Sequence, residues 1–370
     1  MKLNQLVGQL TLIGISGLKL TSHEKKFIVE NNISGVVLFA RNVGEPRQIY
    51  DLCNEIQELR HQMADQAPLF IGIDMEGGRV HRLQPPFTQW PALKTVGDLD
   101  APTVAFKFTL QMGSELMAVG INLNFAPCVD IFNNPENTII GDRAVSSNHM
   151  TVEKMTSALV RGYLKSGIFS CAKHFPGHGY TVIDSHEELP IEPHDLQRLN
   201  DVELLPFKKA FRNKVDMVMT GHISFPKIDS RWPVTLSEVF LKNMIKKEMK
   251  YRGLIITDDL DMKAMAIHYD KAEIPVRSFE AGADLILYCN EPESPPMAIA
   301  AVVKAIESGR LNKADIELAH AKVLAAKKGK NGMVNTLTFE QAVRVVGNKD
   351  HQYLADCLRQ KIMPDGIFLE

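Results

Sequence analysis

Eight short, nearly continuous apolar runs punctuate this chain, separated by longer stretches with helical patterning. The runs are 10–16 (LTLIGIS), 35–39 (GVVLF), 69–74 (LFIGID), 121–125 (INLNF), 168–173 (IFSCAK), 215–221 (VDMVMTG), 253–258 (GLIITD) and 284–289 (DLILYC). Each is too short for a free-standing helix and rich in Ile, Val, Leu and Phe. A strand that is apolar along its whole length is buried on both faces, as in a parallel sheet covered by helices. The segments between supply those helices. Residues 45–64 and 103–119 carry apolar side chains at helical spacing, and 236–250 opens on Leu236-Ser237-Glu238, with Ser237 placed as a cap. Strands alternating with helices make βα units, and about eight units close a TIM-like (β/α)8 barrel. This α/β barrel is the expected fold. Segments 294–329 and 339–360 also read as helical and are expected outside the barrel. No low-complexity linker, internal repeat or second strand-rich region is apparent. A single domain over 1–370 is therefore expected, with the barrel over about 8–330 and a helical tail over about 331–370.

The 42 basic and 44 acidic residues leave a net charge of −2, which argues against nucleic acid or an anionic membrane surface as a partner. No run of about 18 apolar residues marks a membrane span. Residues 1–6 carry one positive charge, Gln9 and Thr11 interrupt the apolar stretch after them, and no cleavage pattern follows; no signal peptide is expected. Cys53, Cys128, Cys171, Cys289 and Cys357 stand at neither metal nor redox spacing, so reduced thiols are expected. Together these features point to the cytoplasm, and a monomer is the default.

Catalytic groups of such barrels lie at the C-terminal ends of the strands. There the sequence puts Asp74 (third run), Asp130 (just beyond the fourth), Lys173 and His174 (fifth), His222 (sixth), and Asp258 with Asp259 (seventh). The segment Asp74-Met75-Glu76-Gly77-Gly78-Arg79-Val80-His81-Arg82 sets carboxylates and guanidinium groups around paired glycines. Such groups can each take two hydroxyl hydrogen bonds, which suits a polyhydroxylated ligand; a surface turn with an Asp–Arg ion pair reads equally well. The segment Lys173 to His186 holds His174, His178, Asp184 and His186 in a Gly/Pro-rich loop. It admits a metal site, acid–base chemistry by His186 with Asp184 to stabilise its cationic form, or a solvated loop. Its spacing is not that of HExxH, which weighs against the metal. In Ile255 to Met262, adjacent acids end a buried strand, where they are costly unless used or paired. Strand alternation sends Asp258 and Asp259 to opposite sides, so one can face the mouth while the other braces the loop. A carboxylate there suits nucleophilic attack on a sugar, and helix capping is the plainer reading for Asp259 or Asp261. Arg143 lies in the loop after the fourth run, and His222 suits a structural histidine as well as a ligand contact.

Together these clusters resemble glycoside hydrolase family 3, and more narrowly its single-domain β-N-acetylglucosaminidase branch, a bacterial enzyme of cell-wall recycling. The similarity runs from about Ile13 to Ala326. Its most specific element is a Lys-His-Phe-Pro-Gly-His-Gly loop ending in Asp-x-His, here Lys173 to His186. The branch's Ser-Asp-Asp-Leu-Ser-Met is matched by Thr257 to Met262. The resemblance implies that Asp258 is the nucleophile and that Asp184 and His186 form the acid/base dyad. It implies that Asp74, Arg82, Arg143, Lys173 and His174 bind the sugar hydroxyls, and His222, in a Thr-x-His segment that the family carries, is expected among the substrate-binding residues. The chain departs from the family pattern where Arg143 is followed by Ala144 and Val145 instead of serine and an aromatic residue. It departs again at Asp261, which replaces a serine.

The implied reaction is removal of terminal β-linked N-acetylglucosamine with retention, with no cofactor and no metal. The implied substrate is N-acetylglucosaminyl-1,6-anhydro-N-acetylmuramic acid, with or without its peptide. Three rivals stand beside it: a phosphorylase on the same site, a metal-dependent hydrolase using His174, His178 and His186, and a non-catalytic sugar-binding protein.

Overall fold

The computed structural model describes residues 1–185, 187–330 and 332–366. Its centre is a closed barrel of eight parallel strands in sequence order: β1 (Thr11–Gly14), β2 (Gly35–Leu38), β3 (Phe70–Ile73), β4 (Leu123–Asn124), β5 (Phe169–Phe175), β6 (Met217–Thr220), β7 (Leu254–Asp259) and β8 (Leu285–Tyr288). The ring closes where Leu12 pairs with Leu287. Each of the eight apolar runs supplies one strand. Almost all strand residues are buried, because the barrel packs one face and the surrounding helices the other.

β4 is shorter than its apolar run, and asparagine side chains extend its pairing. Asn122 Oδ1 accepts from Ile71 N at 2.7 Å and its Nδ2 donates to Leu69 O, while Asn124 Oδ1 accepts from Met75 N at 3.0 Å. These bonds satisfy backbone groups that a longer strand would have paired.

The helices follow local signals. Pro46 and Pro102 stand in the first turns of Pro46–Glu58 and Pro102–Ala118, and Asn148 Oδ1 caps His149–Ser166 by accepting from Met150 N. The region expected as a helix over 236–250 begins with a 3-10 turn, Val234–Leu236, and continues as a π-wound helix, Val239–Glu248. Ser237 Oγ accepts from Phe240 N, so the expected cap is used. The two helical regions after β8 each split in two. Ser294–Glu307 and Lys313–Gly329 are separated by Gly309 at φ 76°. Phe339–Val345 and Lys349–Gln360 are separated by Gly347 at φ 57°, where a Cβ would lie 1.9 Å from Pro86 O. Both breaks use glycine in the left-handed region that ends helices. The last two helices pack on Pro102–Ala118, outside the barrel. Among the described residues, no helix is long and apolar enough to cross a membrane.

Candidate active site

β3, β5 and β7 carry charged groups to one end of the barrel. Asp74 follows the last residue of β3, Lys173 and His174 lie within β5, and Asp258 and Asp259 end β7. Arg82 comes from the loop after β3 and Arg143 from a 3-10 turn (Gly141–Arg143) in the loop after β4. All seven line one cavity of about 210 Å³, with His178, Ser185 and apolar walls from Phe39, Val80, Phe125, Met219, Met262 and Leu287.

The charges on one side of this cavity form a continuous chain. Lys173 Nζ donates to Asp74 Oδ1 at 2.6 Å and pairs with Glu76 Oε1 at 2.7 Å. Arg143 grips Glu76 with two bonds, Nε to Oε2 at 2.9 Å and a terminal nitrogen to Oε1 at 2.8 Å. The same terminal nitrogen of Arg143 lies 3.3 Å from His174 Nε2, and His174 Nδ1 lies 2.7 Å from Asp130 Oδ2. Burial alone would push the Glu76 carboxyl up, but Arg143 and then Lys173 hold it well below the usual carboxylate range. Burial opposes the charge on Lys173, and Asp74 and Glu76 outweigh it, so its pKa is raised. The buried cations and carboxylates therefore hold one another charged.

Asp130 is the second hub. Beside the His174 ring it accepts the backbone N–H of His174 and, at 2.7 Å, that of His178. Burial raises its pKa, and His174 and His178 more than reverse this. The ring nitrogens of His178 meet Thr181 Oγ1 at 2.6 Å and Ser185 Oγ at 3.2 Å. Burial, reinforced by His174, lowers its pKa to about 4, so the ring is neutral at pH 7.

On the facing side, Asp258 is half-buried and its Oδ1 accepts from Asp259 N at 2.8 Å. Asp259 accepts from Asp261 N, from Cys289 N and from Asn290 Nδ2, so its carboxylate ties the end of β7 to the loop after β8. Burial raises its pKa to about 7, with Asp261 and Asp258 adding to the rise. Asp261 accepts from Ser294 Oγ at 2.6 Å and from Glu291 N, fastening the start of helix Ser294–Glu307.

His222, expected among the sugar-binding residues, does not line the cavity. It is fully buried behind it, with Nδ1 2.8 Å from Thr235 Oγ1 and Nε2 2.9 Å from Asp259 O. The structural reading of this histidine is the one its surroundings fit, because one ring nitrogen meets the turn Val234–Leu236 and the other the end of β7, which carries Asp258. Arg82 stands differently: it lines the cavity, and its buried Nε has no hydrogen-bond partner among the described residues.

The histidine-rich loop crosses the mouth. Asn137 Nδ2 donates to His178 O and Asn134 Nδ2 to Tyr180 O. Ser185 O accepts from Ala264 N just beyond β7, and Lys263 pairs with Glu187 at 2.5 Å. Asp184 O accepts from the backbone N–H groups of Glu187 and Glu188. His186 lies outside the described residues.

Glu76 and Asp130 were given no role from sequence. Glu76 sits in the Asp74–Arg82 segment, but an acid three residues past a strand end looks like any loop carboxylate. Asp130 stood among the strand-end acids, and only its partners on β5 distinguish it. Cys128, Asp130 and His174 bring potential ligand atoms within 4.8 Å of one another. For a cation this set is poor: Asp130 is committed to four donors (Cys128 Sγ at 3.4 Å among them), and the Arg143 guanidinium stands against His174 Nε2. The set of His174, His178 and His186 meets the same obstacle at its first two members, whose ring nitrogens are all engaged.

The glycosyl hydrolase family 3 N terminal domain model matches residues 2–326. The beta-hexosaminidase of Hydrogenovibrio crunogenus is 34% identical over 331 residues, which are 86% of this chain and 90% of that protein. The structure of a family 3 β-N-acetylglucosaminidase from Paenibacillus sp. superposes with a TM-score of 0.90 at 36% identity, covering 98% of this chain and 69% of that one. NagZ from Neisseria gonorrhoeae, solved in complex with N-trifluoroacetyl-D-glucosamine, gives 0.77 at 30% identity, covering 96% of this chain and 98% of that one.

Proposed function

This chain belongs to glycoside hydrolase family 3, and from that premise we propose that it is a retaining β-N-acetylglucosaminidase with Asp258 as its nucleophile. The observation that carries this reading is the shape and charge of one cavity. Its volume of about 210 Å³ suits a single sugar ring, with Asp258 on one side and the Asp74–Lys173–Glu76–Arg143–His174 chain on the other. Asp74, Arg82, Arg143, Lys173 and His174 take the ring hydroxyls, and the carboxylate, guanidinium and ammonium groups among them offer charge-assisted hydrogen bonds. Fixed partners keep them from reorganising when the ring flattens toward its oxocarbenium-like transition state.

Asp258 attacks C1 of a terminal β-linked N-acetylglucosamine while His186, oriented by Asp184, protonates the departing oxygen. The covalent ester then yields to water, from which His186 withdraws a proton. Two inversions leave the anomeric configuration unchanged. A neutral imidazole after the first step places no second anion beside the ester. The family's fold and the activities of the relatives support this reading. The physiological substrate we propose is N-acetylglucosaminyl-1,6-anhydro-N-acetylmuramic acid, with or without its peptide, met in the cytoplasm by a single-domain monomer.

The test is hydrolysis of an aryl β-N-acetylglucosaminide against the aryl β-glucoside, for wild type and Asp258→Asn, in chelator, with and without phosphate. Turnover of the first substrate alone, lost in the variant, is expected. Loss in chelator would favour the metal-dependent reading, a rate that climbs with phosphate and yields the sugar phosphate would favour phosphorolysis, and an active Asp258→Asn would remove Asp258 from its role.

A further inference from the structure

A second, larger cavity lies at the other end of the barrel. It occupies about 1190 Å³, against about 210 Å³ for the sugar pocket. Its walls come from the residues that enter β5, β6 and β7, including Phe169, Asp216 and Leu254, and from the end of helix Lys313–Gly329. An occupant there leaves the catalytic mouth open.

The charge of this groove is out of proportion to the chain. Seven cationic side chains line it (Lys208, Arg212, Lys214, Lys250, Arg252, Lys322 and Lys330) against two carboxylates, Asp216 and Glu248, in a protein whose net charge is −2. Lys330 is matched by Asp216 at 2.6 Å and Lys322 by Asp284 at 2.6 Å. The other five have no ion-pair partner among the described residues, and all but the half-buried Lys208 are exposed. Lys214 and Lys250 adopt left-handed backbone at φ 60° and 53°, positions at helix ends where glycine carries less strain. Beneath the rim the floor is apolar, built from Leu164, Leu204, Val215, Met244 and Met249.

Uncompensated charge around an apolar floor is the complement of a chain that alternates carboxylates with apolar side chains. We propose that this groove is a docking site for an acidic, apolar-studded segment of a partner protein. Its volume exceeds the roughly 300–1,000 Å³ of small-molecule sites, which favours a chain segment over a metabolite. Nucleic acid fits less well, because base stacking needs open ring faces. Here Phe211 and Tyr251 stack on each other at 4.1 Å, and the Tyr251 hydroxyl is spent on Val215 O. A membrane fits less well because the surface is concave.

The experiment uses the whole protein and a fluorescein-labelled peptide in which Glu alternates with Leu and Phe, with anisotropy as readout. Saturable binding that weakens as salt is raised is expected. The triple variant Lys214→Glu, Lys250→Glu, Arg252→Glu is expected to lose about tenfold or more in affinity. Its hydrolysis of the aryl β-N-acetylglucosaminide and its circular dichroism are expected to match wild type, showing that the fold survives. The same peptide with Gln for Glu is expected to bind weakly or not at all. No binding of the acidic peptide, equal binding by the triple variant or by the Gln peptide, or tighter binding of oligo-dT or phosphatidylglycerol vesicles would each overturn the proposal.

Discussion

Glu76→Gln removes one negative charge from the centre of the proposed sugar site while keeping its shape. The Glu76 side chain is 1% exposed, and its two oxygens receive Lys173 at 2.7 Å and Arg143 at 2.8 and 2.9 Å. Glutamine offers one oxygen, which can still serve Lys173 and one Arg143 nitrogen. Its amide then points N–H toward Arg143 Nε, donor against donor. Removing one member of a buried ionic cluster costs about 3–5 kcal/mol. The lower end applies here because Lys173 keeps Asp74 at 2.6 Å. Stability should therefore fall by about 3 kcal/mol, read as a lower urea midpoint at unchanged slope. Activity should fall too, because Lys173 and Arg143 lose the group that aims them. A fall in kcat/KM of about a hundredfold, near 2.7 kcal/mol, is expected on the aryl β-N-acetylglucosaminide. The wild-type carboxyl is held far below its ordinary value, so its contribution is present above the unfolded pKa and lost only as pH falls through the folded one. The difference between wild type and variant should thus stay constant from about pH 6 to 8. A variant with kcat/KM within about threefold of wild type and an unmoved midpoint would refute the idea that Glu76 organises the site.

Arg82→Met should raise KM on the same substrate severalfold with little change in the urea midpoint, since its buried Nε has no partner to lose within the described protein; an unchanged KM would count against a sugar contact. His222→Phe should lower stability and kcat together, by leaving Thr235 Oγ1 and Asp259 O without their ring partner, and should leave substrate preference unchanged; altered preference would restore His222 to the binding surface. His178, held down to about 4 by burial, resists protonation when folded, whereas the unfolded ring titrates near its ordinary value of about 6.5. Stability should therefore drop by up to about 3 kcal/mol as pH falls from about 6.5 to 4. Asp259, raised to about 7, acts with the opposite sign over this window, so the His178 effect is read as the difference between wild type and His178→Gln across pH. A pH-independent difference would refute it.

The barrel was legible in the sequence because burial on both faces leaves a local mark. A largely apolar run of five to seven residues between helical stretches needs no knowledge of its neighbours to be read as a strand, and each of the eight runs became one. The ends of those runs then marked Asp74, Lys173, His174 and Asp258, because the C-terminal edge of a parallel barrel gathers whatever follows each strand. The helix boundaries were less legible. Gly309 and Gly347 break patterns that read as continuous, since apolar spacing does not reveal where the chain must turn left-handed to pack.

Partnership belonged to the tertiary structure alone. Asp74 meets Lys173 across 99 residues and Glu76 meets Arg143 across 67, distances over which sequence carries no pairing signal. Barrel closure made Glu76 a hub, set Asp130 against His174 and His178, and turned His222 away from the cavity onto Asp259 O. It also gathered five cations with no ion-pair partner among the described residues from separate segments into one groove, invisible in a chain whose net charge is −2. Periodicity records whether a side chain is buried; which charge it is buried against depends on the closed ring of strands.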